Sequence, residues 1–344
     1  MPKEYLLNKN IGKEGLDFVN QFCSLEKAIV LATQNIFNIE SIESKQVAII
    51  NIERINDIKK LNSFLKKVNK KLKNDGVYVG CAETYMVRKN RLMKKFPKPL
   101  NHIYYFFDFL ITRVLPKIWF TSRVYFYLSG GKGRVLSKTE VLGRLVYCGF
   151  GIAEVKQINN LLYFAVKKVN EPQYDAHKPK YGFFIKLPRI GKDSKIIKVY
   201  KLRTMHAYSE YIQKYVFEQN NLAEGGKLKN DFRIPTYGEK LRKYWIDELP
   251  MLINLLKGEM KIIGVRPLSA HYLSLYNPEL VALRTQTKPG LLPPFYADSP
   301  KTLDEIMDSE KKYLLQYLKS PFKTDVKYFF KILHTIFIKG KRSS

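Results

Sequence analysis

The chain has 344 residues, of which 45% are hydrophobic, and it carries a formal net charge of +29 at pH 7. This length suffices for two domains with a core each. Its three cysteines, Cys23, Cys81 and Cys148, are scattered without metal-ligand spacing, and no run reaches the roughly 18 to 20 apolar residues that a spanning helix needs. Because nothing resembles a signal peptide, we expect a reducing cytosolic setting. The charge calls for a polyanionic neighbour, either a membrane surface or nucleic acid.

The amino-terminal half alternates strand-like and helix-like segments, which predicts an α/β sheet. A helix-like stretch at residues 58–72 leads through an Asp-Gly turn ending at Gly76 into a strand. A helix begins near Ser137. The predicted strands are residues 28–33, 47–51, 77–80, 152–155 and 161–166.

This order resembles the second half of a class I methyltransferase. The glycine-rich turn that would bring the cofactor close to the backbone has no counterpart before Gly76, and neither has the acidic residue that would hold its ribose. We therefore expect residues 1–170 to form a degenerate, non-catalytic Rossmann-like (methyltransferase-like) domain with a docking or membrane-placing role. Glu83 is the only acidic group there that is well placed for a site, and an ordinary surface charge explains it equally well.

Residues 101–128 (NHIYYFFDFLITRVLPKIWFTSRVYFYL) form an aromatic and basic insert in this domain. The pattern is typical of a helix that lies in a membrane interface, with rings at headgroup depth and cations toward anionic lipid. Packing onto a protein core is the equally weighted alternative. Pro116 should kink or break the helix. The cations are Arg113, Lys117 and Arg123, and the recurring polar positions are Asn101, Tyr105, Asp108 and Thr112.

A polar linker at residues 171–180 precedes a series of motifs that are rich in cations. Short β-type runs at 196–200 and 261–263 lie just ahead of Arg203 and Arg266, where an arginine fork can meet phosphate oxygens. Gly264 would let the backbone approach a ligand closely. The motifs are YGFFIKLPRIGK (181–192), IKVYKLRTM (197–205), DFRIPTYG (231–238), GVRP (264–267) and KPG (288–290).

Two adjacent carboxylates, Asp247 and Glu248, stand where a helix should begin. Asp247 suits an N-cap and Pro250 suits a first turn. The leucine and isoleucine positions Leu249, Leu252, Ile253 and Leu256 repeat at the spacing of one buried face, and Gly258 ends the helix. The helix dipole, with Arg242 and Lys243 one turn upstream, should keep both carboxylates ionised and able to recruit a divalent cation. Taken alone, the pair is an ordinary helix-start signal.

Together, the order and spacing of these motifs over residues 179–338 resemble the bacterial sugar transferases, the monotopic polyprenyl-phosphate phosphoglycosyl transferases. The resemblance implies an α+β domain at residues 181–344 with interfacial amphipathic helices. It implies that Asp247 attacks the β-phosphate of a UDP-sugar, expels UMP and carries the sugar phosphate until a polyprenyl phosphate accepts it. Glu248 would then share metal binding or acid–base work, with Mg2+ (or Mn2+) held by Asp247 and Glu248.

Cations would neutralise the diphosphate, because phosphoryl transfer depends mainly on positioning and charge. The resemblance makes Lys201, Arg203, Arg233 and Arg266 the candidate phosphate clamps, with Lys186, Arg189 and Lys288 as further substrate-binding candidates. The implied partners are a UDP-sugar, a polyprenyl phosphate, an anionic membrane surface and other glycan-assembly enzymes, and no nucleic acid. The implied place is the cytoplasmic face of the bacterial inner membrane.

The chain also departs from the family pattern. After Lys288-Pro-Gly290 a Thr-Gly pair and a glutamine are usual, whereas residues 291–298 read LLPPFYAD. Val265 replaces a proline and Met251 a glutamine. The long apolar re-entrant helix that should precede Tyr181 is missing. Donor recognition near 291–298 is therefore left open, as are the sugar, the polyprenol and the oligomeric state.

A second amphipathic stretch at residues 326–342 closes the chain, apolar on one side and basic at its end. It is predicted to lie at the membrane, with packing onto a core as the alternative. Two other functions stay open beside sugar-phosphate transfer. One is an S-adenosylmethionine-dependent methyltransferase. The other is a basic membrane- or nucleic-acid-binding protein without catalysis, although no zinc spacing or aromatic RNA signature supports the latter.

Overall fold

A computed structural model describes residues 3–172, 181–219, 231–300 and 302–337, apart from the side chains of Trp119 and Phe337. They divide into two compact units. The first contains residues 3–172 and 206–219, and the second contains residues 181–205, 231–300 and 302–337. Segment 206–219 thus groups with the first unit, although the sequence placed it in the transferase domain. Most of the predicted linker, residues 173–180, lies outside the described residues, and the domain boundaries stay predictions.

Tyr208 is one of the residues that hold segment 206–219 in the first unit, beside His206 and Tyr211. Asn62 donates a hydrogen bond of 2.7 Å to the Tyr208 hydroxyl, and the Arg144 guanidinium lies 4.4 Å from the centre of its ring. Residue 143 is glycine for the same reason, since a Cβ there would lie 2.3 Å from the Tyr208 carbonyl oxygen. These contacts have no sequence signature.

The first unit is built on a five-stranded sheet of order β1-β2-β3-β5-β4. Strands β1, β2 and β3 are parallel, and β5 runs antiparallel to both β3 and β4. The mixed sheet with flanking helices confirms the α/β prediction. The strands are β1 (Ala28–Leu31), β2 (Gln46–Arg54), β3 (Leu72–Ala82), β4 (Phe150–Ile158) and β5 (Leu161–Lys168).

The helices of this unit follow the predicted pattern in most places. The one predicted near Ser137 begins there, because the Ser137 hydroxyl accepts from the Glu140 amide while the Glu140 carboxylate accepts from the Ser137 amide. The predicted Asp-Gly turn is instead a bulge inside β3, where Asp75 has a φ of 60°. The helices are α1 (Lys3–Asn20), α2 (Ile36–Glu40), α3 (Leu61–Lys71), α4 (Tyr85–Lys95), α5 (Leu100–Phe109), α6 (Trp119–Ser129), α7 (Lys138–Tyr147) and α8 (Gln213–Gln219).

The aromatic insert is helical and broken near Pro116, as predicted. Between α5 and α6 the chain forms a π-helical turn, Leu110–Val114, and a 3-10 turn, Leu115–Lys117. The predicted orientation of its cations is wrong for Arg113, which is buried and paired with Glu140 rather than turned outward.

The second unit combines a hairpin, a short parallel pair of strands and a helical core. Antiparallel strands β6 (Phe184–Ile190) and β7 (Ile196–Leu202) form the hairpin, and parallel strands β8 (Lys261–Ile263) and β9 (Gly290–Leu292) form the pair. The helices are α9 (Thr236–Lys243), α10 (Leu252–Leu256), α11 (Ala270–Leu273), α12 (Pro278–Thr285), α13 (Phe295–Asp298), α14 (Leu303–Lys319) and α15 (Pro321–Phe337).

The closing helix α15 packs on the core of this unit. Tyr328 and Ile332 are fully buried beside Tyr313 and Leu314 of α14. Core packing therefore accounts for the row of this stretch that holds Tyr328 and Ile332. Val326 and Phe330 on the same helix are 40% and 63% exposed, and the predicted membrane placement stays a prediction. The basic end, residues 338–342, lies outside the described residues. Among the residues described, no helix combines the length and the apolar character needed to cross a bilayer.

Gly264 and Gly290 allow β8 and β9 to approach each other closely. A Cβ on Gly290 would lie 2.0 Å from the Gly264 amide nitrogen. The close approach predicted at Gly264 therefore exists, but its partner is the protein backbone rather than a ligand. Gly290→Ala should lower the free energy of unfolding by about 1–3 kcal/mol because the strands must separate. Thermal denaturation would measure this loss.

Gly182→Ala is the matched control for that substitution. The nearest atom to a Cβ at position 182 lies 3.8 Å away, which is ordinary contact. Equal melting temperatures for the two variants would contradict the close-approach explanation.

Candidate active site

The carboxylate pair lies beside β7. Lys201, near the end of that strand, donates from Nζ to the Glu248 Oε1 atom at 2.6 Å. Both side chains are mostly buried, at 16% and 15% exposure. The neighbouring Asp247 is only 8% exposed. One lysine thus lies against two acidic residues in a shielded place, where charge interactions are stronger than in open water.

The local backbone differs from the predicted helix start. Trp245 has a left-handed φ of 54°, and residues Ile246–Met251 then form a 3-10 turn that contains both carboxylates and Pro250. Asp247 is therefore not an N-cap, and α10 begins only at Leu252 with no side-chain cap. Proline restricts the residue before it and lacks an N–H, which favours a short tight turn here over an α-helix.

The predicted buried face of this helix is also wrong. The apolar residues of the repeat are exposed: Leu249 by 57%, Leu252 by 47%, Ile253 by 41% and Leu256 by 90%. The helix α10 has only five residues, so its periodicity does not show which side faces the core. The residue that attaches it to the core is polar. An exposed apolar surface thus adjoins the carboxylate pair.

The anchor of α10 is the fully buried Asn254. Its Nδ2 atom donates to the Lys198 carbonyl at 2.9 Å, and its Oδ1 atom accepts from the Tyr200 amide at 3.1 Å. These bonds extend the ladder of β7 into the helix, so the turn before α10 is held against the strand that bears Lys201.

The charge state of Asp247 reflects opposing effects. Burial raises its pKa above the ordinary value of 3.8, and the neighbouring charge of Glu248 raises it too, whereas Lys201 and Arg242 lower it. Burial is the largest of these influences, so the predicted ease of ionisation is only partly right. Lys201 and Arg242 thus favour the ionised form of the Asp247 carboxylate, while its burial away from water disfavours that form.

The predicted phosphate clamps fall into different environments. Arg233 is 4% exposed and grips Asp231 in the same loop, with Nε to Oδ1 at 2.8 Å and Nη2 to Oδ2 at 2.7 Å. Arg203 donates from Nε to the Gly182 carbonyl at 2.8 Å and lies 5.1 Å from the Tyr181 ring centre. Arg233 is therefore paired with a carboxylate of the protein, and Arg203 holds the segment just before β6.

Arg266 offers the most accessible of these cations. Its side chain is exposed, and none of the hydrogen bonds seen among the described residues involves its guanidinium. Its charge lowers the pKa of Arg189 after the larger effect of burial, so the two guanidinium groups lie near each other. Two neighbouring guanidinium groups are a favourable place for a phosphate.

The two remaining lysine candidates lie elsewhere in the unit. Lys186 is exposed, with its Nζ atom 5.2 Å from the Tyr200 ring centre. Lys288 lies near Gly258, beyond the end of α10 that is farther from the carboxylates. The structure thus brings Lys201 to the pair, whereas the contacts seen for Lys186 and Lys288 are with Tyr200 and Gly258. All of these assignments stay predictions.

The structure adds two residues that were not predicted as ligands. Arg242 donates from Nε to the Thr204 hydroxyl at 2.8 Å. Burial lowers the pKa of Arg242, and the nearby Asp247 carboxylate opposes that effect, so the two groups lie within electrostatic reach of each other. The Tyr296 hydroxyl accepts from Trp245 Nε1 at 3.0 Å, and burial, followed by the charge of Glu248, raises the pKa of Tyr296. The atypical segment 291–298 was the only sequence signal for Tyr296.

A divalent cation fits the site only if it needs few protein ligands. No group of three or more metal-binding side chains occurs within the described ranges. Mg2+ commonly uses one or two carboxylates together with substrate phosphates and water. Asp247 and Glu248 meet that requirement.

Contrasting effects are expected for Arg266 and Arg233. Arg266→Ala should raise KM or lower kcat for an anionic substrate by about 10²-fold, with an unchanged melting temperature, because an exposed phosphate ligand is lost. Arg233→Ala should lower the melting temperature, because Asp231 loses its buried partner. Kinetics and thermal denaturation on both variants would test this. A destabilised Arg266→Ala variant together with an Arg233→Ala variant of unchanged melting temperature would contradict it.

Glu83 in the first unit is occupied by basic side chains. Its carboxylate pairs with Arg54 at 3.2 Å, Arg88 at 3.2 Å and Arg91 at 2.6 Å, and the residue is 3% exposed. Three arginines neutralise the Glu83 carboxylate, so a structural role within the unit is enough to explain this residue. It adds no support for a methyltransferase site.

Comparison with known proteins finds sugar transferases similar to the second half of the chain. Residues 174–339 match the family model described as bacterial sugar transferase. An uncharacterized sugar transferase of Haemophilus influenzae is 38% identical over 135 residues, covering 38% of this chain and 26% of that protein. The undecaprenyl-phosphate galactose phosphotransferase of Salmonella typhimurium is 36% identical over 108 residues, covering 30% and 22%. The uncharacterized sugar transferase EpsL of Bacillus subtilis is 37% identical over 108 residues, covering 31% and 47%.

This chain therefore spans less than half the length of each of these relatives. Among solved structures, the pyocyanin biosynthetic protein PhzM is 12% identical, with 38% of this chain and 33% of that chain covered and a TM-score of 0.23. A likeness this weak supports no fold assignment. The methyltransferase-like character of the first unit stays a prediction.

Proposed function

We propose that this protein, whose residues 174–339 belong to the bacterial sugar transferase family, transfers a sugar 1-phosphate from a UDP-sugar to undecaprenyl phosphate and releases UMP. One observation carries the proposal. The largely buried Asp247 carboxylate lies next to the Lys201–Glu248 ion pair and within electrostatic reach of Arg242. Such a carboxylate is shielded from water and can act as a nucleophile toward phosphorus.

In the first displacement, an Asp247 oxygen forms a bond to the β-phosphorus of the UDP-sugar. The bond from that phosphorus to the oxygen bridging the α-phosphate breaks, and UMP leaves with the electron pair. The sugar phosphate is then held as an acyl phosphate on the aspartate. The cost of bringing an anion to a diphosphate is offset by Lys201 and Arg242, with Arg266 and Arg189 available for the outer phosphate oxygens.

In the second displacement, a phosphate oxygen of the polyprenyl phosphate bonds to the same phosphorus and the Asp247 carboxylate departs. The product is a polyprenyl diphosphate sugar. The acceptor carries a long apolar chain, and the exposed apolar residues Leu252, Ile253 and Leu256 directly follow the catalytic turn. An apolar surface beside a charged site suits a substrate that has a phosphate group at one end of a hydrocarbon chain.

A magnesium or manganese ion would be held by Asp247 and Glu248 together with the substrate phosphates, where it would neutralise the charge that develops during transfer. The remaining work falls to the side chains. Lys201 holds Glu248 in place and favours the ionised form of Asp247, while Arg242 is fixed by Thr204.

The reaction would take place at the cytoplasmic face of a bacterial inner membrane, where UDP-sugars and lipid carrier meet. It would initiate the assembly of a cell-surface glycan such as exopolysaccharide, capsule, O-antigen or a glycoprotein glycan. Other enzymes of glycan assembly would then be its partners.

The decisive experiment is UMP release from a panel of UDP-sugars, each with and without undecaprenyl phosphate, in magnesium or in chelator. We expect one donor to release UMP in a metal-dependent way, with sustained turnover only when the lipid acceptor is present. Release of UMP from none of the donors would overturn the proposal. Titration with S-adenosylmethionine and with oligonucleotides in the same preparation would test the two alternative functions.

A further inference from the structure

The helices α5 and α6 and the turns between them expose many apolar side chains, whereas a surface helix of a soluble protein exposes mainly polar ones. Several of their polar residues face the protein, namely Asp108, Thr112 and Arg113. Asp108 receives two hydrogen bonds from the Arg88 guanidinium, at 2.6 and 2.7 Å. Arg113 is 6% exposed, pairs with Glu140 and donates to the Val135 carbonyl at 3.0 Å. The charges of Asp108 and Arg113 are thus paired inside the unit instead of being shown to water.

The apolar side chains of the same helices face outward. We define this outer surface by Ile103, Phe106, Phe107, Phe120, Tyr127 and Leu128, which are between 52% and 87% exposed. Monomeric soluble proteins rarely leave a contiguous apolar patch of this kind uncovered. A helix normally buries its apolar stripe and solvates its polar one, so the inversion indicates an apolar neighbour outside the chain.

Positive charge lies beside the apolar residues, because α4 packs against α5. Helix α4 precedes the segment and presents exposed cations, and Arg123 of α6 is exposed within it. The only acidic residue of 100–129 is Asp108, whose charge is already paired inside. The exposed cations of α4 and of the short connection after it are Lys89, Arg91, Lys94, Lys95 and Lys98.

We infer that the outer surface of α5 and α6 docks onto the headgroup region of an anionic lipid bilayer. Aromatic and aliphatic side chains enter the boundary between headgroups and acyl chains, while the lysines of α4 contact lipid phosphates. A second copy of the chain fits less well, because two such surfaces would bring their basic borders together. The inference concerns the first unit and does not rest on the transfer reaction.

The test is co-sedimentation of the full-length protein with vesicles, in the absence of UDP-sugar and polyprenyl phosphate. Vesicles of phosphatidylcholine alone are compared with vesicles that also contain phosphatidylglycerol. Phe106→Ser with Phe107→Ser should weaken binding to the anionic vesicles about tenfold, because two anchoring rings are lost. The matched control is Tyr5→Ser with Phe37→Ser, which removes two rings of the same unit with similar exposure and should leave binding unchanged.

Charge is tested separately. Lys94→Glu with Lys95→Glu should weaken binding about tenfold to the anionic vesicles only, and salt should weaken the wild-type protein in the same way. Lys73→Glu with Lys156→Glu is the control at exposed sites elsewhere in the unit. All four positions are exposed, so these variants are expected to fold even if the aromatic ones do not.

Equal vesicle binding by the test and control variants would overturn the inference. So would sedimentation-velocity data in which the 106/107 variant loses a dimer while keeping its vesicle binding, because the surface would then belong to a second copy. Turnover is not part of this measurement. A failure of the proposed transfer reaction would therefore leave its outcome unaffected.

Discussion

Replacing Asp247 by asparagine is expected to abolish UMP release, with a loss of at least about 10⁴-fold that reaches the background of the assay. The amide has nearly the same shape but cannot supply the electron pair that bonds to phosphorus. Intact-mass measurement of the wild-type protein with UDP-sugar alone should show the added mass of one sugar phosphate. The variant should show none.

The matched control is Asp193→Asn in the same unit. Asp193 is exposed and has a left-handed φ of 53°, a conformation that asparagine tolerates well. Its activity should equal that of the wild type. A folded Asp247→Asn variant that still forms the mass adduct would rule out this residue as the nucleophile.

The same aspartate predicts the pH dependence of the reaction. Burial raises the pKa of Asp247 above 3.8 in the folded protein. The nucleophile is ionised above that raised pKa and is lost as the pH falls through it. The acidic limb of kcat/KM should therefore lie at a higher pH than an ordinary aspartate would give.

Removing Lys201 should have the next largest effect. Lys201→Ala takes away the 2.6 Å partner of Glu248 and a cation that favours the ionised form of Asp247. We expect kcat to fall about 10²–10³-fold, the size of effect seen when a group stabilising the transition state is lost. The acidic limb should also move to higher pH, because the pKa of Asp247 rises further. Kinetics measured across pH would report both changes.

Two further variants separate the role of Lys201 from general charge. Lys201→Arg keeps a cation and should recover part of kcat and return the acidic limb toward its original position. Lys198→Ala removes an exposed lysine from the same strand and should change neither quantity. A Lys201→Ala enzyme whose pH profile is unchanged would show that Lys201 only supports the fold.

Several parts of the fold and of the site are predictable from local sequence. The short β-type runs before Arg203 and Arg266 are observed as β7 and β8, and the helix near Ser137 begins at its capping box. Such features depend on neighbours in sequence, through side-chain alternation and local hydrogen bonds. The family of residues 174–339 was predicted by the order of several motifs along the chain, and the comparison confirms it.

Other features could not be read from local pattern. The repeat of Leu249, Leu252, Ile253 and Leu256 suggested a buried face, but the buried residue that holds α10 on β7 is the polar Asn254. Tyr296 lies near Glu248 although the two are 48 positions apart along the chain. Both contacts join residues that are far apart in sequence, so a pattern of neighbouring residues cannot show them.

The sequence by itself determined the alternation of strands and helices, the carboxylate pair, the surplus of cations and the family of the carboxyl-terminal half. Only the tertiary structure decided which cations have partners. Arg233 is held by Asp231, whereas Arg266 lies exposed near Arg189. It also decided which side of the aromatic insert faces outward, since Asp108 and Arg113 are paired within the first unit. The physical reason is that a charge becomes a ligand or a structural ion pair according to its neighbours in space and its contact with water.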